Sequence, residues 1–211
     1  MINIASHPLI ARNFPQRLGI FVDVQNMFYS AKQFHQGKID YGRMLSEITG
    51  QRHLIRAIAY IVQKADVNQD SFYSALTNLG YELKIRELRM RSDAEAKNIA
   101  PKGSWETGLS LDAISMAPKL DTVALVAGDG DYVPLAENLK MCGCRVEVFS
   151  FERSTASELI KAADQFIPIQ ESWLFKVKKF EGAGGTHPGH ISYEGLPQDE
   201  EDLESQATTA D

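Results

Sequence analysis

Four polar side chains stand where apolar runs break off: Asp23 and Asn26 in FVDVQN, and Asp129 and Asp131 in VAGDGDY. Carboxylates held close together repel one another, and without compensation their pKa values rise. A divalent cation removes the conflict. Magnesium and manganese prefer oxygen ligands and keep several waters, so a site needs only a few carboxylates besides a substrate phosphate. Such a site can activate water and stabilise the charge that builds up on a phosphodiester. That chemistry needs no His or Cys. The five histidines show no ligand spacing, and Cys142 and Cys144 in CGC read as two small apolar residues at the turn into a strand.

A further source of acids is PKGSWETGLSLDAISMA. Glu106 falls in the first turn of a helix and can point toward the end of a sheet. Asp112, six residues on, lies deeper and on a different face, because helical neighbours are three or four apart. Lys102-Gly103 just upstream offers a charge and a flexible backbone to phosphate. Each residue also has a structural reading. Asn26 can cap the helix after its strand, and Asp131 can cap the helix that carries Pro134 in its first turn. Asp129-Gly130 is an ordinary turn pair, and Glu106 is a favourable acid at a helix N-terminus.

The elements that must bring these groups together alternate regularly. LGIFVDV is a continuous apolar run, as expected of a strand buried on both faces. Helical spacing follows in NMFYSAKQF and DYGRMLSEI, then a strand in LIRAIAYIV, a helix in VNQDSFYSALTNLG closed by Gly80, and an edge-like strand in YELKIREL. After a polar stretch come the helix ending near Met116, the strand DTVALVAG, the helix of YVPLAENLKMCG and the strand CRVEVFSF. Thr155 and Glu158 suggest a capping box for SELIKAADQF, and Phe166–Ile169 a short edge strand. This alternation predicts right-handed crossovers and an α/β, Rossmann-like three-layer sandwich around a mainly parallel sheet. With the strand order 3-2-1-4-5, strands one and four are neighbours at the point where the order reverses, and their carboxyl ends form one crevice.

At 211 residues the chain suits one well-filled domain. We read 1–16 as an N-terminal arm, 17–181 as the α/β domain and 182–211 as a flexible acidic tail. The whole carries 22 bases and 28 acids, but seven of the acids and no base fall in 182–211, leaving the rest near +1. Near-neutrality neither supports nor excludes a nucleic-acid partner, since binding depends on local patches. No apolar run approaches the roughly 18 residues of a membrane span, and the N-terminus lacks the pattern of a secretion signal. The expected compartment is the cytoplasm, with no membrane partner. A dinucleotide cofactor is not expected, because the first strand runs into DVQN without a GxGxxG turn. An aspartyl phosphatase is disfavoured because Val-Gln, not a second acid two residues on, follows Asp23.

FVDVQN, the PKG segment with its acids, and GDGDYVPL, in that order and spacing, resemble the NYN domain, and in particular its bacterial LabA-like branch, related to PIN-domain nucleases. The resemblance spans about residues 17–169, including Ser157-Glu158-Leu159 through Ala163-Asp164-Gln165-Phe166. It implies a magnesium- or manganese-dependent ribonuclease fold in which Asp23, Asp129 and Asp131 match the acidic positions and Asn26 the usual Asn. Where the family reads KGVD followed by a second Asp, KGSWE carries one extra residue, with Glu106 in place of the first Asp and Asp112 matching the second. Asp112 then either ligates metal, hydrogen-bonds within the helix or supports Lys102.

The expected partner is RNA, single-stranded by preference. Lys84, Arg86, Arg89, Arg91, Lys97 and Lys102 lie close in sequence, with Trp105 just beyond as a stacking aromatic. Glu87, Asp93 and Glu95 interrupt the run, so a solvated charged face is the competing reading. The leading expectation is an RNA-hydrolysing enzyme with Asp23, Glu106, Asp129 and Asp131 as metal ligands, Asn26 orienting a ligand or water, and Lys102 contacting phosphate. The alternative is a non-catalytic NYN module that binds RNA or a regulatory partner, its metal site degenerate because the altered KGSWE segment no longer supports turnover, with a homo-oligomer also open, because fold does not establish chemistry.

Overall fold

The computed structural model describes residues 15–35, 37–64, 69–88 and 105–176. The tail at 182–211, most of the N-terminal arm, and four of the expected RNA contacts (Arg89, Arg91, Lys97 and Lys102) lie outside the described residues.

The first strand, β1 (Arg17–Asp23), buries Leu18, Ile20, Phe21 and Val22 completely. It continues without a loop into α1 (Val24–His35). Then come β2 (Gly37–Ile39), α2 (Tyr41–Thr49), β3 (His53–Lys64), α3 (Asp70–Leu79) and β4 (Glu82–Leu88). The second half holds α4 (Glu106–Met116), β5 (Thr122–Val126), α5 (Val133–Met141), β6 (Arg145–Ser150), α6 (Ser157–Ala162), β7 (Gln165–Pro168) and β8 (Leu174–Lys176). Six strands make one sheet in the order β4-β3-β1-β5-β6-β7, and every neighbouring pair is parallel. Leaving aside the short β2, which is not in this sheet, the first five strands follow the expected 3-2-1-4-5, and β7 adds a sixth at the edge.

Alternation along each strand divides the core. Leu18, Ile20 and Val22 of β1 and Ala124 and Val126 of β5 face the layer with Met27, Met44, Ile48, Phe72 and Leu76. Phe21, Val123 and Leu125 face the opposite layer with Leu109, Ala113, Leu135, Leu139 and Leu159. Each fully buried Leu, Ile or Phe contributes about 2 kcal/mol, so the central strands are fixed more firmly than anything at the sheet ends. At the edge, β4 leaves Ile85 exposed, and α3 stops at Gly80, whose φ of 100° suits a residue without a side chain.

Three local features add to or depart from the expectations. A two-stranded antiparallel ribbon, β2 with β8, lies outside the main sheet. The capping box does not form: Ala156 precedes α6 without a side-chain cap, and the Thr155 hydroxyl donates back to the Phe151 carbonyl at 2.6 Å. The cause is the Ala156 N–H, which donates to the Gly128 carbonyl at 2.9 Å and fixes where the chain enters the helix. Of the two cysteines, Cys144 is buried, its thiol near the Ala117 and Leu120 carbonyls, whereas Cys142 is exposed. Away from the site, Glu147 is buried between Arg52 at 2.7 Å and Arg145 at 3.2 Å.

Candidate metal centre

Val22 of β1 lies opposite Val126 of β5, so the two strands end side by side. Because α1 begins at Val24, Asp23 occupies the position before a helix. Its Oδ1 accepts the N–H of Asn26 at 3.0 Å, so Asp23, not Asn26, caps the helix. The Asn26 side chain is thereby released to reach across the strand ends, where its Oδ1 accepts the Gly128 N–H at 2.8 Å. Gly128 is held on three sides. Its N–H goes to Asn26, its carbonyl accepts from Ala156, and a Cβ there would stand 2.6 Å from the Ser150 hydroxyl and 3.0 Å from the Ser154 carbonyl.

Beyond Gly128, the Asp129 carboxylate accepts the Asp131 N–H at 3.0 Å and caps a short 3₁₀ turn, 130–132, that leads into α5. Asp131 does not take the alternative part of a cap for the Pro134 helix and leaves its side chain exposed. The turn sends Tyr132 inward. Its ring is fully buried and its hydroxyl donates to Asp23 Oδ2 at 2.7 Å. Burial, joined by the charges of Asp23, Glu106 and Asp129, pushes the Tyr132 hydroxyl far above its ordinary range, so it remains a donor. Asp23 titrates above the usual carboxylate range. Burial is the main cause and Asp129 adds to it, against the lowering bonds from Asn26 and Tyr132.

Glu106, in the first turn of α4, completes the group. Oxygens of Glu106, Asp129 and Asp131 all lie within 4.8 Å of one another. Two oxygens on one octahedral magnesium are separated by about 3–4 Å for bonds of about 2.1 Å, so small side-chain adjustments suffice. Three hard oxygen donors fit magnesium or manganese. Asp23 adjoins this group through Tyr132 and through its charge interaction with Asp129.

Asp112 stands elsewhere. Its Oδ2 accepts the Tyr60 hydroxyl at 2.9 Å and pairs with Lys84 Nζ at 3.1 Å, outside the acidic group. That uses Lys84 of the expected basic patch. Trp105, expected to offer a stacking face, donates its indole N–H to the Ile61 carbonyl at 2.8 Å. The Arg86 guanidinium lies 4.3 Å from its ring centre and Tyr60 meets it edge-on. Tyr132 is the site residue that sequence reasoning did not single out; the signal was its place directly after GDGD.

Residues 17–170 match the profile of the NYN domain. The chain belongs to the NYN domain family. A NYN-domain relative, the low amplitude and bright protein LabA of Synechococcus elongatus, is 28% identical over 172 residues, covering 79% of this chain and 92% of that protein. The uncharacterized protein MJ0482 of Methanocaldococcus jannaschii is 25% identical over 172 residues, 81% of this chain and 62% of its own length. Among solved structures, VPA0982 of Vibrio parahaemolyticus, a protein of unknown function, superposes with a TM-score of 0.69 at 32% identity, covering 77% of this chain and 98% of that one. The NYN fold, within the PIN-like nuclease superfamily, thus carries a carboxylate group that could hold a metal. No helix among the described residues is long and apolar enough to cross a membrane.

Proposed function

We propose that this NYN domain is a magnesium- or manganese-dependent ribonuclease of the cytoplasm that hydrolyses phosphodiester bonds of single-stranded RNA. The observation that carries the reading is the convergence of Glu106, Asp129 and Asp131 within 4.8 Å. These three would hold the cation, with Asp23 adding a fourth carboxylate directly or through water. Bound there, a divalent cation supplies a Lewis acid that lowers the pKa of water and neutralises charge on phosphate. Asn26 holds Gly128, and so keeps Asp129 beside Asp23. Tyr132 keeps the Asp23 carboxylate turned to one rotamer and contributes a hydrogen-bond donor rather than a charge. Cleavage of single-stranded RNA with manganese, compared between wild type and Asp129→Asn, tests the reading. Activity should be present in the first and lost in the second; equal activity in both would mean a contaminant or another site.

A second reading, RNA or regulatory-partner binding without turnover, is favoured by one observation. Both oxygens of Asp23 already accept hydrogen bonds, from Asn26 and from Tyr132. Absence of both cleavage and any gain in thermal stability with manganese would select it.

A further inference from the structure

The acid contributed by α4 is the one that departs from the family pattern, and it needs an anchor of its own. Glu106 opens the helix, and no side chain caps that helix end. What fixes it is the residue before. Trp105 donates its indole N–H to the Ile61 carbonyl of β3 at 2.8 Å, and its ring meets Tyr60 edge-on at 5.5 Å. Arg86 of β4 covers the ring at 4.3 Å, close enough for a cation–π attraction. The helix makes room for the indole. A Cβ at Gly108 would stand 2.6 Å and 2.8 Å from the Trp105 ring atoms Cε3 and Cζ3. The Trp105 carbonyl also accepts the Leu109 N–H at 2.8 Å, so ring and backbone of one residue tie the first helical turn to the sheet.

We infer that Trp105 is a positioning residue that sets Glu106 at the metal centre, with Gly108 as the recess that admits its ring. The inference rests on the metal reading of the acidic group. The extra residue in KGSWE is then offset at the described end of the segment, where the indole fixes the chain one residue before the acid. Trp105 acts on the cation only through Glu106.

Manganese affinity of the full chain, measured by calorimetry with the metal alone, tests this in a double-mutant cycle. Trp105→Phe keeps a ring and removes the indole N–H; it should weaken manganese binding about tenfold, as loss of a residue that orients a ligand does. In a Glu106→Gln background the same change should cost less than about twofold, because the two act as one unit. Wild-type affinity in Trp105→Phe, or an undiminished penalty beside Glu106→Gln, overturns the inference. Should Trp105→Phe fail to fold, Gly108→Ala displaces the ring from the other side and should show the same coupling. Amide exchange of Leu109 is read in parallel. Faster exchange in Trp105→Phe supports the anchor even where the wild type binds no manganese, a result that sinks the metal reading alone. Unchanged exchange there overturns the anchor itself.

Discussion

Replacing Tyr132 by Phe removes one oxygen from the centre and leaves the buried ring in place. The lost contact is a 2.7 Å bond from a fully buried hydroxyl to the Asp23 carboxylate. Hydrogen bonds to a charged partner contribute about 1.5–3 kcal/mol and neutral ones about 1 kcal/mol, so the cost should depend on whether Asp23 is ionised. Asp23 has its pKa raised in the folded protein, chiefly by burial. Between the ordinary carboxylate value and that raised value, the native state binds more protons than the unfolded chain. Stability therefore falls as pH rises through this window and is level above it. Removing the Tyr132 donor raises the Asp23 pKa further, which deepens the fall. Metal-free urea unfolding of wild type and Tyr132→Phe over a pH series should give a difference of about 2 kcal/mol at neutral pH, shrinking to about 1 kcal/mol once Asp23 is protonated. A difference that is constant with pH, or that grows on acidification, would refute the coupling of this hydroxyl to the carboxylate.

Other perturbations separate the parts of the molecule. Manganese at about a hundred times its Kd should stabilise the wild type by about 2.7 kcal/mol, a gain that Asp129→Asn should lose in a thermal-shift titration. Gly128→Ala should destabilise by about 1–3 kcal/mol through overpacking against Ser150 and Ser154, and should also lower RNA cleavage, because Asp129 follows directly; unchanged stability would show that the loop yields. Glu147→Ala leaves Arg52 without its nearest carboxylate and should cost on the order of 3 kcal/mol in denaturant unfolding, with manganese affinity unchanged.

The central strands β1, β3 and β5 were legible because each is a largely apolar run, and the strand order followed from the alternation with helices. The acids at the strand ends were legible for the same reason: Asp23 and Asp129 are the first charges after such runs. What escaped depends on shifts of one residue or on contacts across the chain. Asp23, not Asn26, takes the capping part because α1 begins immediately at Val24, and Asn26 reaches across to Gly128 instead. Asp112 carries the right chemistry for a ligand, but the helix turns it toward Tyr60 and Lys84. The capping pair at Thr155 and Glu158 matches a motif that a distant carbonyl, that of Gly128, overrides. Strands of three residues such as β2 and β8 are too short to show any period.

The triple restraint on Gly128 has a mechanical outcome. With its amide, its carbonyl and the space above its Cα all taken by separate stretches of chain, the loop bearing Asp129 cannot drift outward to let like charges separate. A rigid mounting of this sort holds Asp129 where its charge adds to the burial that raises the pKa of Asp23, and a captured cation would relieve that repulsion.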